Sequence, residues 1–387
     1  MTFSQLDHDM MAMALRLGAS ARFTAPPNPA VGCVIARGTS VLGCGATGPV
    51  GGPHAEISAL QDAEQLGNSV SGATAYVTLE PCGHTGRTPP CTDALVAAGI
   101  KRVVVAISDP DERVNGVGCA QLRSAGVKVE EGLLGAEAEA AHRYFFFRTR
   151  NGRPWVRLKI ASSLDGRTAM ESGESIWITG EQARQDVQML RAESDCVLSS
   201  SGTVLIDNPS LDVRLEPEQL SLKPGQSVRQ PLRAIVDSSL RLSPRGRLFK
   251  CGGDIRIYSN QANSNKFNDL KDKVNIISDI GDSSKMRRTG IDLGAMLADL
   301  GQMPVNLVHV EAGATLCGAL LKAQLVDEIV VYLAPLLMGN QARPQFHLPE
   351  ISTMTARLPL VLADSRQVGE DLRLTYHPES RAESQST

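Results

Sequence analysis

Four residues in fixed order, His54, Glu56, Cys82 and Cys91, constrain the N-terminal third of this chain more than any other feature. Pro53-His54-Ala55-Glu56 opens a segment whose periodicity predicts a helix from His54 to Leu66. Glu80-Pro81-Cys82 follows a strand expected at Ala75 to Leu79. Cys91 follows with eight residues between it and Cys82, behind Arg87-Thr88-Pro89-Pro90. A fold that uses these residues together must bring a helix start, a strand end and a second cysteine to one point. With a helix at Asp9 to Gly18, Gly/Pro-rich loops after it and a strand at Arg102 to Ile107, the alternation is that of a layered α/β domain.

One imidazole and two thiolates make a three-ligand zinc set, which leaves a fourth position for water and so separates a catalytic site from a closed structural one. Zinc lowers the pKa of such a water toward neutrality. Glu56, a carboxylate beside the ligands but not one of them, is the natural proton carrier. Residues two apart do not share a helix face, so His54 and Glu56 can serve together only at the first turn. Taken singly, a histidine is usually a surface or satisfied core residue and a cysteine a small buried hydrophobe. In this order they match the zinc nucleobase-deaminase signature. That signature has two residues between its cysteines; here Gly83, Gly86, Pro89 and Pro90 supply a longer loop able to fold back.

At 387 residues the chain exceeds one ordinary core, and two domains are expected. The pattern between Glu137 and Arg148 is helical and breaks at Arg150-Asn151-Gly152-Arg153-Pro154, which places a deaminase domain at residues 1–148 and a second domain at 152–377. The second opens with the strand Trp155 to Ile160 and continues with a helix at Glu181 to Ala192. Further strands are expected at Ala234 to Val236, Ile255 to Tyr258, Val305 to Val310 and Glu328 to Leu333. Polar composition from Ser259 to Gly290 predicts a flexible excursion with a short strand at Val274 to Ile277, and residues 378–387 read as a disordered tail. The balance of 39 basic and 42 acidic residues, without blocks of either sign, argues against a nucleic-acid partner. Acidic Asp7 and Asp9 precede the apolar stretch Met10 to Leu17, so it reads as an amphipathic helix and not a signal peptide. No apolar run reaches the roughly 18 residues of a membrane span, and a cytoplasmic protein with dispersed, reduced cysteines is expected.

Glu311-Ala312-Gly313-Ala314-Thr315 ends a strand and opens a helix running to about Ala323. Such a small-residue loop is a phosphate cradle in many α/β enzymes. It lacks the full dinucleotide fingerprint, so a plain helix cap at Thr315 is an equal reading.

The chain resembles the bifunctional riboflavin-biosynthesis deaminase and reductase family. The resemblance rests on Pro27-Asn28-Pro29 with Val31-Gly32, His54-Ala55-Glu56, Thr78-Leu79-Glu80-Pro81-Cys82, Gly86 to Cys91, Ser163 to Arg167, Ser172-Gly173-Glu174-Ser175 with Trp177-Ile178-Thr179, and Glu311-Ala312-Gly313. It departs at Pro26, where relatives usually have His, and at Gly83 and Thr85, where Ser and His are commoner. The resemblance implies a cytidine-deaminase-like α/β/α layered domain followed by a dihydrofolate-reductase-like α/β domain. It implies Zn2+ in the first and NADPH in the second. Ala161, Ser162, Trp177, Thr203, Asp207, Ser238 and the loop Gly313, Ala314, Thr315, Leu316, Cys317, Gly318, Ala319 would face the cofactor. Asn28 in the first site and Ser175, Arg191, Leu211, Arg214 and Glu311 in the second would face a phosphoribosylamino-pyrimidine, with Lys159 directed toward its sugar. Arg191 and Arg214 suit its phosphate, although surface solvation is an equal reading of either. Asn28 has the lesser alternative reading of a simple turn residue between prolines, and Lys159 the nearly equal one of a plain strand lysine. Asp207, Glu311 and Lys159 are candidates for the acid of the reductive step. The family also implies a homo-oligomer. Two other readings stay open: a binding module whose metal is structural, with His84 as fourth ligand, and a nucleic-acid deaminase, which the missing basic stripe disfavours.

Overall fold

The computed structural model describes residues 3–83, 89–111, 115–260, 270, 274–278, 290–348 and 351–379. His84, Thr85 and Gly86, most of the polar segment from 259 to 290, and residues 380–387 of the tail lie outside the described residues. Contacts divide the chain into two units, Met1–Gly152 and Arg153–Thr387. No described helix is long and apolar enough to cross a membrane.

The first unit runs α1 (Gln5–Ser20), β1 (Gly32–Arg37), β2 (Ser40–Ala46), α2 (Ala55–Gln65), β3 (Thr74–Val77), α3 (Cys91–Ala97), β4 (Arg102–Val105), α4 (Val117–Ser124), β5 (Lys128–Glu131) and α5 (Gly135–Asn151). Its sheet has the order β2-β1-β3-β4-β5, antiparallel around β1 and parallel from β3 to β5. Alternate strand residues point to opposite faces. Cys33, Ile35, Val77, Val103 and Val105 pack with α2, α3 and α4 residues, while Val34, Ala36, Tyr76 and Val104 pack with Met11 and Ala14 of α1 and Ala138 of α5. The result is three layers.

Two departures from the sequence reading have clear causes. Helix α1 begins four residues before the expected Asp9, because Ser4 and Asp7 form a reciprocal capping box. Asp7 is itself buried, where it takes a hydrogen bond from Tyr76 and an ion pair from Arg102 at 2.6 Å. The stretch expected to be Gly/Pro-rich loop contains the β1–β2 hairpin. Gly32 is there because a Cβ would stand 1.8 Å from the Ala14 carbonyl oxygen of α1. A glycine that reads as a loop signal in sequence can mark a strand approached closely by another backbone.

The second unit contains β6 (Trp155–Ser163), β7 (Arg167–Ala169), α6 (Glu181–Glu193), β8 (Cys196–Ser200), α7 (Ser201–Asp207), β9 (Leu232–Val236), β10 (Ile255–Ser259), β11 (Asn275–Ser278), α8 (Leu293–Gln302), β12 (Leu307–Val310), α9 (Ala314–Lys322), β13 (Glu328–Ala334), β14 (Arg343–Pro344), β15 (Leu360–Val368) and β16 (Asp371–Pro378). Nine strands form one sheet in the order β11-β10-β9-β8-β12-β6-β13-β16-β15. All pairs from β11 to β13 are parallel, and the last two are antiparallel. Val156, Leu158, Ile160, Val308 and Val310 face α8 and α9, and Val330 and Tyr332 on the opposite face meet α6. The hairpin β15–β16 escaped the sequence reading. Residues 360 to 367 are exposed on both sides, so no apolar alternation announces the strand.

Candidate active sites

In the first unit, His54 is the N-cap of α2 with extended backbone (φ −72°, ψ 165°), and Glu56 lies in the first turn. The helix-start placement demanded by the sequence spacing is therefore met by keeping His54 outside the helix proper. Cys91 is the first residue of α3. The Nδ1 of His54 stands 3.3 Å from Cys91 Sγ and 3.6 Å from Cys82 Sγ, and the three ligand atoms lie within 4.8 Å of one another. Tetrahedral zinc with ordinary bond lengths requires N···S separations of about 3.6 Å. The donor set fits that ion.

The Cys91 amide at the start of α3 donates to Cys82 Sγ at 3.3 Å. Hydrogen bonding from the Cys91 thiol, reinforced by His54, brings the Cys82 pKa down to about 4, and the same bond drives the Cys91 thiol up. The bond to Cys82 raises His54. Glu56 is 4% exposed, and burial pushes its carboxyl up to about 7, where it can both take and release a proton near neutrality. Asn28 follows cis-linked Pro26-Pro27; its backbone amide donates to the Ala25 carbonyl at 2.9 Å, closing a turn and leaving the half-buried side chain uncommitted to it.

Sequence reasoning assigned no role to Glu80, although a carboxylate directly after the expected strand Ala75 to Leu79 is a signal. Buried Glu80 accepts the backbone N–H groups of Gly116 at 2.9 Å, Cys119 at 3.1 Å and Asp109 at 3.2 Å. This ties the segment leading to Cys82 to the start of α4.

In the second unit, the parallel strands β9, β8, β12, β6 and β13 end along one edge of the sheet, the usual place for ligands in open α/β folds. Ser238 follows β9, Thr203 sits in α7 after β8, Glu311 and Gly313 follow β12, and Ala161 and Ser162 close β6. The Gly313 amide donates to Thr203 Oγ1 at 3.2 Å, which joins two of these strand ends. Gly313 is the N-cap of the nine-residue α9, with no side-chain cap, and open space lies where its Cβ would be. An uncapped helix start of this kind suits a phosphate. The expected cap at Thr315 is therefore corrected: the cap is Gly313, and the Thr315 hydroxyl meets His347 Nδ1 at 3.1 Å.

Other residues stand differently from a simple line of ligand contacts. Leu316, Cys317 and Gly318 are buried, the first two in the core against β6 and β12, so the exposed members of that loop are Gly313, Thr315 and Ala319. The Leu211 side chain is 2% exposed in a core cluster. Ser162 is wholly buried and accepts from Gln345 at 2.7 Å. Arg191 is committed within the protein. Its guanidinium grips Glu311 through two nitrogens, one of them at 3.1 Å, and donates to the Asp212 carbonyl at 2.9 Å. Lys159 approaches the same Glu311 at 3.3 Å. Against the upward push of burial, these two cations hold the Glu311 carboxyl well below the usual range. Arg214 has a half-exposed side chain and donates to Ser210 at 3.0 Å. Trp177 is 69% exposed with Arg184 stacked 4.5 Å over its ring, Ser175 is half-buried nearby in sequence, and Asp207 ends α7 at the surface.

Known proteins share both halves. Residues 4–107 match the family described as the cytidine and deoxycytidylate deaminase zinc-binding region, and residues 154–374 match the RibD C-terminal domain. Riboflavin biosynthesis protein RibD of Escherichia coli is 44% identical over 371 residues, covering 95% of this chain and 98% of that protein. The Haemophilus influenzae protein of the same name is 42% identical, covering 97% and 98%. Among solved structures, Acinetobacter baumannii RibD superposes with a TM-score of 0.85 at 39% identity, covering 97% of this chain and 99% of that one. A Thermotoga maritima diaminohydroxyphosphoribosylaminopyrimidine deaminase/5-amino-6-(5-phosphoribosylamino)uracil reductase gives 0.83 at 29% identity, covering 96% and 99%.

Proposed function

Because the chain belongs to the RibD family, the bifunctional deaminase and reductase of riboflavin biosynthesis, we propose that His54, Cys82 and Cys91 hold its zinc, that Glu56 carries the proton of deamination, and that NADPH lies along the strand ends of the second unit. The enzyme hydrolytically deaminates 2,5-diamino-6-(5-phosphoribosylamino)pyrimidin-4(3H)-one and then reduces the ribosyl group of the product to ribityl. Deamination is assigned to residues 1–148 and reduction to 152–377, a split supported by the division of contacts between Gly152 and Arg153.

The observation that carries the first assignment is the convergence of three ligand atoms beside one buried carboxyl. Zinc supplies Lewis acidity that makes water a nucleophile near neutral pH. Glu56, whose carboxyl burial pushes up to about 7, would accept one proton as the nucleophile forms and pass it to the ring nitrogen, then carry a second proton, from the new hydroxyl, to the departing amine. Asn28 presents an amide that can donate to and accept from a pyrimidine edge.

In the second unit NADPH supplies hydride. The uncapped start of α9 and Thr203 offer donors to its phosphates, while Ser238 and Ala161 mark the course of the remainder along the strand ends and exposed Trp177, in the β7–α6 loop, offers a ring to it. Half-exposed Arg214 is the better placed arginine for substrate phosphate, since Arg191 is bound to Glu311. Glu311, with Lys159 beside it, is positioned to order the sugar hydroxyls. Stripping zinc with a chelator tests the assignment. Ammonia release from the diamino substrate is expected to stop and to return with added Zn2+, while reduction of the already deaminated substrate continues. Unchanged ammonia release by metal-free protein would refute it.

Self-association through β15 completes the reading. This strand ends the sheet order, so its outer edge has no strand neighbour among the described residues, and such edges pair readily. Two copies paired antiparallel about Ser365 set Asp364 of each opposite Arg366 of the other. Leu362→Lys with Arg366→Asp is expected to shift sedimentation toward monomer; unaltered sedimentation would place the contact elsewhere.

A further inference from the structure

Beyond the zinc ligands and Glu56, the structure holds a second group of contacts on the deaminase site, made by α4. Glu80 fixes the start of this helix to the strand end that leads into Cys82. Three residues after Gly118, the Gln121 side chain reaches both cysteine segments. Its Nε2 donates to the carbonyl of Gly83, the residue after Cys82, at 2.8 Å. Its Oε1 accepts from the hydroxyl of Thr92, the residue after Cys91, at 2.9 Å. The Thr92 amide in turn donates to the Cys82 carbonyl at 3.3 Å. One amide side chain thus spans the two stretches of backbone that carry the sulfur ligands.

Position 83 shows that this arrangement depends on its neighbour. A Cβ on residue 83 would lie 2.5 Å from Gln121 Oε1 and 2.9 Å from its Cδ. The obstructing atoms are the end of a flexible side chain, so any larger residue at 83 is accommodated by expelling Gln121. Glycine at 83 and glutamine at 121 therefore form a matched pair.

We propose that Gln121 is a positioning residue for the deaminase site, an amide clamp that fixes the separation of the Cys82 and Cys91 segments and so slows loss of the metal, and that Gly83 serves to admit it. The proposal rests on the zinc assignment above. Residues behind metal ligands commonly change metal affinity or activity by about 10- to 100-fold when removed.

The test follows zinc release from full-length holoenzyme to a chromophoric chelator for wild type, Gln121→Ala, Gly83→Ala and the double variant, with visible spectra of the cobalt(II)-substituted proteins. Each single variant is expected to release zinc about 10-fold faster, with the same shift of the cobalt bands in both and with reductase activity unchanged as the check on folding. In the double variant the second substitution should add nothing, because an alanine methyl at 83 acts only by displacing Gln121. Additive effects of the two substitutions would overturn the proposal, as would a Gln121→Ala protein with wild-type zinc release and a wild-type cobalt spectrum. Wild-type protein that takes up neither zinc nor cobalt would instead remove the zinc assignment beneath it.

Discussion

Glu56→Gln is expected to lower ammonia release by about 10²- to 10⁴-fold, the usual contribution of a positioned acid–base group, while the protein keeps its zinc and still reduces the deaminated substrate. The amide preserves the shape of the side chain but cannot take a proton. Because Glu56 is buried and ligates nothing in the His54, Cys82 and Cys91 set, neither metal content nor folding should follow the loss of rate. Metal analysis, a kinetic assay of each half-reaction and a thermal melt measure all three. A variant that loses zinc together with activity would show that Glu56 supports the metal and would remove it from the proton path.

The second large effect lies in the other unit. Glu311→Gln leaves Arg191, whose side chain is 9% exposed, facing a neutral amide. Removing one partner of a buried pair typically costs about 3–5 kcal/mol because the remaining charge is stranded. For a unit of this size that corresponds to a fall on the order of 10 °C in its thermal midpoint. Reduction should be lost as well, whereas ammonia release at a temperature below the lowered midpoint should not change. Replacing both residues, Arg191→Met with Glu311→Leu, is expected to cost less stability than Glu311→Gln alone, since the buried guanidinium goes with its partner and only the more exposed Lys159 loses a contact. If Glu311→Gln melts like wild type, water or another residue compensates Arg191 and the pair is not the stabilising feature of that site.

The first site was legible in sequence because its information is chemical and local. His54, Glu56, Cys82 and Cys91 are residue types with few other joint uses; His54 and Glu56 stand at a helix start and Cys82 just beyond a strand that periodicity marks, whereas the helix α3 that Cys91 opens went unread. What brings them together was less visible. Glu80 acts through backbone amides at the start of α4, and Gln121 of that helix acts through the Gly83 carbonyl and the Thr92 hydroxyl, contacts for which the sequence carries no local signal. In the second unit the order of strands could not be read from periodicity, since β6, β8, β9, β12 and β13 are parallel and buried, and runs such as Val-Leu-Ser-Ser carry no alternation. Arg191 and Glu311 are 120 residues apart, and neither signals the other. The carried-over cofactor loop includes Leu316 and Cys317, but successive residues of a helix rotate by about 100°, and Leu316, Cys317 and Gly318 lie on the buried side of α9.

The central claim is that one chain runs two dependent reactions at two sites. Its most direct test is a single time course in which purified protein receives the diamino substrate and NADPH, with ammonia and NADPH oxidation recorded together, with and without prior removal of zinc. Ammonia should appear first, NADPH oxidation should follow it with a lag, and zinc removal should abolish both while reduction of pre-deaminated substrate persists. NADPH consumption that precedes ammonia, or that continues with the diamino substrate after zinc is removed, would contradict the account.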